Sequence, residues 1–193
     1  QQPQTMDIQV GTVIVATGYD PFDPSGILEY GFGKYDNVIT GPMVERMADA
    51  MGPTGGKIIR PSDKKPPRKV AFLQCVGSRD EKLRLAYCSR VCCMYALKDA
   101  MMLKEEDPSI EATIFYIDIR AFGKGYEEFY VRGQEKGVKF VRGKISSIVE
   151  EPDTKRLRLR YEDTLLGRTI VEAFDLVVLS VGQLPRREDQ ELG

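Results

Sequence analysis

Val70-Ala-Phe-Leu-Gln-Cys75-Val-Gly77-Ser-Arg-Asp80, and shortly after it Tyr87-Cys88-Ser-Arg-Val-Cys92-Cys93-Met-Tyr-Ala-Leu-Lys98, decide how this chain is read. Together they hold all four of its cysteines. The apolar run from Val70 ends at Cys75 and reads as a buried strand. Cys88, Cys92 and Cys93 open a segment that reads as a helix from about 88 to 106, with Pro108 marking its end. A strand, a loop and a helix N-terminus form the usual ligand seat of an α/β domain. Here the seat carries thiols where a nucleotide-binding loop would carry glycines.

On the N-terminal side, Ile8-Gln-Val10-Gly-Thr-Val13-Ile-Val-Ala16-Thr17-Gly18 is a β-branched run that predicts another buried strand, stopped by glycine. Residues 20–40 are rich in Gly, Pro, Asp and Tyr and read as a surface connection. Gly41-Pro42 opens a helix with proline in its first turn. Met43, Val44, Met47, Ala48 and Met51 form its apolar face, and Glu45 lies off that stripe as a solvated carboxylate. Arg60 to Lys69 is a basic, proline-punctuated linker.

In the cysteine-bearing helix, Val91, Met94, Tyr95, Met101 and Met102 share one face, and Lys98 falls within it. A lysine so placed snorkels or meets an anion. Glu111 to Arg120 reads as the next strand, with Asp118 where a second-strand acid would reach a ribose. Gly123-Lys-Gly125 leads to a helix from Tyr126 to Lys136, capped by Gly137. A short strand at 138–143 follows. Residues 145–149, 156–161 and 168–174 alternate as an antiparallel meander, and Asp175 to Gly182 is a closing buried strand. This order predicts an α/β domain, a Rossmann-like unit of parallel crossovers with an antiparallel β-meander appended.

Composition narrows the function. The 193 residues are 42% hydrophobic and 30% charged with a net charge of −1, which suits a soluble domain and gives no reason to expect nucleic acid or an anionic membrane as partner. No apolar run approaches the ~20 residues of a membrane span, and no signal peptide is visible. Clustered cysteines without a spread framework predict a reducing, cytoplasmic setting and a metal or redox site. With no histidine, imidazole chemistry and mixed cysteine–histidine zinc sites are excluded.

Four chemistries compete for the C-x12-C-x3-C-C pattern. Cys88 and Cys92 would share a helix face, with Cys93 rotated by about 100°. That fan, with Cys75 approaching from the strand end, can enclose a body larger than one atom, such as a [4Fe–4S] cube. The first-turn N–H groups, Arg79 and Arg90 would stabilise its negative charge. A zinc ion on four cysteines suits adjacent cysteines poorly, and a dithiol pair favours the missing CxxC spacing. Inert buried thiols are the plain alternative. A nicotinamide site would want G-x-G-x-x-G, and Cys75-Val-Gly77-Ser-Arg-Asp80 has a single glycine.

Several stretches resemble the A subunit of heterodisulfide reductase. They are Ala16-Thr17-Gly18, Gly52-Pro-Thr-Gly-Gly56, Arg60-Pro-Ser-Asp63, the two cysteine stretches, Phe122-Gly-Lys-Gly-Tyr-Glu-Glu-Phe129, Glu162-Asp-Thr-Leu-Leu-Gly167 and Asp175-Leu-Val-Val-Leu-Ser-Val-Gly182. The A subunit of the quinone-interacting membrane-bound oxidoreductase complex shares several of these, but the Phe122–Phe129 run fits heterodisulfide reductase better. The resemblance implies a thioredoxin-reductase-like core of the three-layer FAD/NAD(P)-binding superfamily. It implies that Cys75, Cys88, Cys92 and Cys93 ligate a [4Fe–4S] cluster beside a flavin, and that Ala16, Thr17 and Gly18 touch FAD. Lys98 and Glu45 match catalytic positions near the isoalloxazine. The family takes electrons from a hydrogenase or formate dehydrogenase and bifurcates them at FAD toward a heterodisulfide and ferredoxin. The implied partners are the other reductase subunits and the hydrogenase or dehydrogenase subunit that donates electrons.

The Gly-rich FAD fingerprint and the ferredoxin-like cysteine runs of the family are absent from this sequence. The expectation is therefore a fragment, inactive by itself, with FAD weakly held or absent and open to homodimer formation through uncovered apolar surface. Its divisions read as 1–20, strand and edge of an FAD-binding domain; 21–69, a connection with one helix; 70–185, the Rossmann unit with cluster and meander; and 186–193, a polar tail. Two further functions stand beside the electron relay: a non-catalytic docking module of a redox complex, and a pyridine-nucleotide oxidoreductase domain.

Overall fold

A computed structural model describes residues 3–186. In chain order the elements are β1 (Asp20–Pro21), β2 (Val38–Thr40), α1 (Gly41–Ala48), β3 (Lys69–Val76), α2 (Cys92–Glu106), β4 (Glu111–Tyr116), α3 (Tyr126–Glu135), β5 (Lys139–Arg142), β6 (Ile145–Glu150), β7 (Leu157–Asp163), β8 (Arg168–Phe174), β9 (Leu176–Val181) and β10 (Gln183–Leu184). Two short 3-10 turns, Pro24–Gly26 and Leu28–Tyr30, lie between β1 and β2.

A five-stranded parallel sheet in the order β2-β9-β3-β4-β5 is the centre of the molecule. Alternation along β3 and β9 divides two cores. Val70, Phe72, Leu176 and Val178 face the helices, where they meet Ala96, Leu97, Ala100 and Leu103 of α2. Ala71, Leu73, Val177 and Leu179 face the antiparallel β6-β7-β8 sheet, whose Ile148, Leu157, Leu159 and Phe174 close the second core. Buried on both sides, these strands read as nearly unbroken apolar runs. In β7 the period is two instead: Leu157, Leu159 and Tyr161 are buried while Arg158, Arg160 and Glu162 are exposed. Phe115 of β4 joins the layers, with its ring 4.7 Å from Tyr161 and 5.8 Å from Phe174, both edge to face.

Polar staples fix the turns. The Asp175 carboxylate accepts from the backbone N–H groups of Arg68 and Lys69, at 2.9 Å each, and from Arg156 Nε at 3.2 Å. The fully buried Asn37 donates to Lys155 O and accepts from Ser62 N, docking the basic linker against the meander.

The structure corrects three expectations. Residues 8–18 form no strand. Ile8, Val13, Ile14 and Val15 are 71%, 75%, 87% and 66% exposed, because a strand needs hydrogen bonds to a neighbour and no described strand lies beside this run. Within the supposed surface connection, Val38–Thr40 is instead the buried edge strand β2. The helix at Gly41 stops at Ala48, since Asp49 turns extended (ψ 126), so Met51 falls outside it and is exposed, as is Met43. The tail from 187 onward lies outside the described residues. Among the described residues, no helix is long and apolar enough to cross a membrane.

Candidate redox site at the carboxyl end of the sheet

The chain runs β3, α2, β4, α3, β5 outward to one side, then returns through the meander to place β9 on the other side of β3. The reversal leaves a crevice beyond the carboxyl ends of β3 and β9, the position where open α/β sheets hold ligands. Cys75 sits at that end of β3 and Val181–Gly182 at that end of β9.

Local backbone geometry shapes the cysteine loop. Cys75 itself has φ 62, and Gly77 follows with φ 73. A Cβ on Gly77 would come within 2.0 Å of the Phe22 ring, so glycine answers both the left-handed backbone and the close approach. Gly182 N donates to Val76 O at 2.7 Å, Arg79 N to Tyr87 O at 2.9 Å, and Gln183 N to Ser89 Oγ at 2.9 Å. These bonds tie the two halves of the loop to the end of β9.

Helix α2 begins later than its sequence suggests. Arg90 adopts φ 67, which no right-handed helix accommodates, so the helix starts at Cys92. Cys88 therefore lies in the preceding loop, where its Sγ accepts from Arg90 N at 3.3 Å, and not one helical turn from Cys92. Cys92 and Cys93 are the first two residues of α2.

All four thiols nevertheless line one small pocket, together with Ser78, Arg79, Arg90, Asp118 and Arg120. None is in a disulfide. Among the described residues, no three His, Cys, Asp or Glu side chains form a group that could hold a metal ion. Burial pushes the Cys75 and Cys93 thiols up and takes Cys92 up to about 12, with neighbouring sulfurs adding to each. Opposing this, Arg79 lies against Cys75, and the Arg120 backbone N–H favours the Cys93 thiolate. Asp118, read from the sequence as a ribose contact, instead accepts from Arg79 Nη1 at 2.5 Å and from Arg120 Nε at 3.4 Å. Those two hydrogen bonds hold its carboxyl below the usual range against the opposing effect of burial. Arg90 lies over the Phe122 ring, 4.5 Å from its centroid.

A second cluster lies farther along α2. Lys98 Nζ donates to Glu45 Oε1 of α1, joining two residues that the sequence placed on unrelated faces. Asp99, absent from the sequence reading, is buried beside them. Its position next to a lysine on an apolar stripe was the available signal. Ala16, Thr17 and Gly18 are held elsewhere, in the extended N-terminal run, where Arg186 Nη1 donates to Thr17 O at 3.3 Å. A Cβ on Gly18 would meet nothing within 4 Å, so the described residues form no cradle for FAD around it.

No family model matches the chain. It is 55% identical over 193 residues to the A subunit of the H(2):CoB-CoM heterodisulfide,ferredoxin reductase of Methanothermobacter thermautotrophicus, covering 100% of this chain and 29% of that protein. It is 56% identical over 193 residues to the iron-sulfur A subunit of the CoB–CoM heterodisulfide reductase of Methanocaldococcus jannaschii, again 100% of this chain and 29% of that protein. Against the A subunit of the ferredoxin:CoB-CoM heterodisulfide reductase of Methanosarcina mazei the identity is 50%, over 100% of this chain and 24% of that protein. The chain thus spans under a third of the length of these curated relatives. Among solved structures, the L-lysine 6-monooxygenase of Pseudomonas syringae shares the fold, with a TM-score of 0.54 at 15% identity over 89% of this chain and 45% of that one. The shared fold is a Rossmann-like α/β arrangement with a parallel central sheet and an antiparallel meander. Over its full length the chain is thus similar to one segment of heterodisulfide reductase A subunits.

Proposed function

We propose that this segment is an electron-transfer element of a heterodisulfide reductase-type oxidoreductase, in which Cys75, Cys88, Cys92 and Cys93 hold a [4Fe–4S] cluster. The observation that carries the reading is the convergence of four thiols from a strand end, a loop and a helix start on one pocket flanked by three arginines. An all-thiol donor set suits iron–sulfur ligation. The residues present fit such a group.

When bound, the cluster would supply one-electron transfer. The chain's own residues would do the rest. Ionised by iron, the four thiolates need positive charge nearby. Arg79 supplies it at Cys75, held there by Asp118, and the positive end of the α2 dipole supplies it at Cys92 and Cys93. Gly77 packs against the Phe22 ring and Gly182 against Gly77 O and Ser89 Oγ, where side chains would displace the loop that carries Cys75.

The described residues do not form a cradle for FAD around Ala16, Thr17 and Gly18. In our reading, the exposed run at 8–18 pairs with a neighbouring sheet in the longer protein, and contacts from Ala16, Thr17 and Gly18 to FAD are made only there. Lys98 and Glu45 would then face the redox centre. The proposed partners, in the cytoplasm, are the other reductase subunits and a hydrogenase or dehydrogenase that donates electrons.

The test is thiol accessibility. After anaerobic reconstitution with iron and sulfide, the four cysteines should be protected together from alkylation, as read by mass spectrometry. Serine at any one of them should expose the remaining three. Independent alkylation of each cysteine, before and after reconstitution, would overturn the reading in favour of inert thiols.

A further inference from the structure

Asp99 is 1% exposed. Its Oδ1 lies 3.6 Å from Lys98 Nζ, and its Oδ2 is buried without a hydrogen-bond partner. Lys98 Nζ also donates to Glu45 Oε1, and these two side chains are 43% and 42% exposed. The three groups therefore run from the interior between α1 and α2 out to the surface. The titratable groups facing Asp99 are Glu45 from α1, and Lys98 and Tyr95 from its own helix.

One ammonium shared with Glu45 does not offset the charge of a carboxylate buried as Asp99 is. The surplus negative charge is relieved by a proton, and the proton belongs on the carboxyl that water cannot reach. Burial first, and then the Glu45 charge, push Asp99 up to about 8, with Lys98 pulling the other way. A neutral carboxyl is also the form that tolerates an unpartnered oxygen at least cost.

We propose that Asp99 is an internal proton store for the Lys98–Glu45 pair, exchanging with the outside through that pair. When Lys98 Nζ gives a proton to a base at the open edge of the pair, the resulting amine takes the Asp99 proton. The carboxyl O–H bond breaks, an N–H bond forms, Asp99 becomes a carboxylate and the ammonium is restored. Use of that proton in redox chemistry rests on the reading of Lys98 and Glu45 as facing the redox centre. The existence of the store does not.

The experiment follows the Asp side-chain carboxyl carbons by NMR, across pH, in the labelled 193-residue chain without added iron or flavin. Asp99→Asn identifies the signal by its loss. The expected result is an Asp99 carboxyl still protonated at pH 7 and titrating well above the other aspartates. Glu45→Gln should lower its midpoint and Lys98→Met should raise it, while Lys98→Arg restores the wild-type value. Backbone spectra verify the fold of each variant. An Asp99 already ionised at pH 7, or a midpoint unmoved by both Glu45→Gln and Lys98→Met, would overturn the proposal. Because the sample carries no cluster, either outcome leaves the cysteine reading to its own test.

Discussion

The Asp118 carboxylate, two residues past β4, accepts a hydrogen bond from the Arg79 guanidinium, which the loop after β3 lays against Cys75. A side chain that sequence logic assigns to a ribose is thus spent on aiming a positive charge at a thiol. Adding an electron to a cluster makes it more negative, so a nearby cation favours the reduced form. Arg79→Gln is expected to lower the cluster's midpoint potential by tens of millivolts, where ~59 mV is a tenfold change for one electron. Redox titration followed by EPR checks this.

Gly77 sits where both its left-handed φ of 73 and the Phe22 ring exclude a side chain. Gly77→Ala should displace the loop that carries Cys75 while sparing the sheet. The expected outcome is unchanged far-ultraviolet circular dichroism with reduced cluster incorporation. The double variant Gly77→Ala/Phe22→Ala should recover part of the loss, since it removes the steric clash but not the backbone strain.

Phe115 bridges the parallel sheet and the meander through its edge-to-face contacts with Tyr161 and Phe174. Truncating such a residue removes its buried area and leaves a cavity between two layers that cannot collapse independently. Phe115→Ala should cost about 3–5 kcal/mol in denaturant unfolding. Val171→Ala on the exposed face of β8 should stay within about 0.5 kcal/mol.

Asp99 makes stability depend on pH. Its carboxyl is held up at about 8 in the fold, against an ordinary value of about 3.9. Below about pH 4 both folded and unfolded chains carry the proton, and the group's contribution is fully present. Between about pH 4 and 8 the unfolded chain releases the proton and the folded chain keeps it, so stability falls as pH rises through that window. Asp99→Asn should flatten this part of the curve in urea unfolding at a series of pH values.

Much of the fold was legible because burial leaves a period. The unbroken apolar runs of β3 and β9 announced strands buried on both faces, and the alternation in β7 announced one half-solvated. What escaped the sequence depended on partners. The β-branched residues from Ile8 to Val15 express a preference for a strand that only a neighbour can satisfy. Val38–Thr40 is too short, among glycines and tyrosines, to show a period at all. Within the site, the four cysteines were legible as a group from their spacing. Their geometry was not, because the left-handed Arg90 that delays α2 carries no residue-type signal. The Glu45–Lys98 contact joins residues on two helices: the resemblance put both near one flavin, and the packing of α1 against α2 brings them together.

The central claim is that the four thiols form one cluster site. The most direct measurement is iron and acid-labile sulfide per chain after anaerobic reconstitution, with an EPR spectrum of the dithionite-reduced sample. About four iron and four sulfide per chain are expected, as one [4Fe–4S] cluster requires, with a reduced-cluster signal that Cys92→Ser or Cys93→Ser abolishes. A folded chain that takes up no sulfide, or one metal ion without sulfide, would contradict the claim.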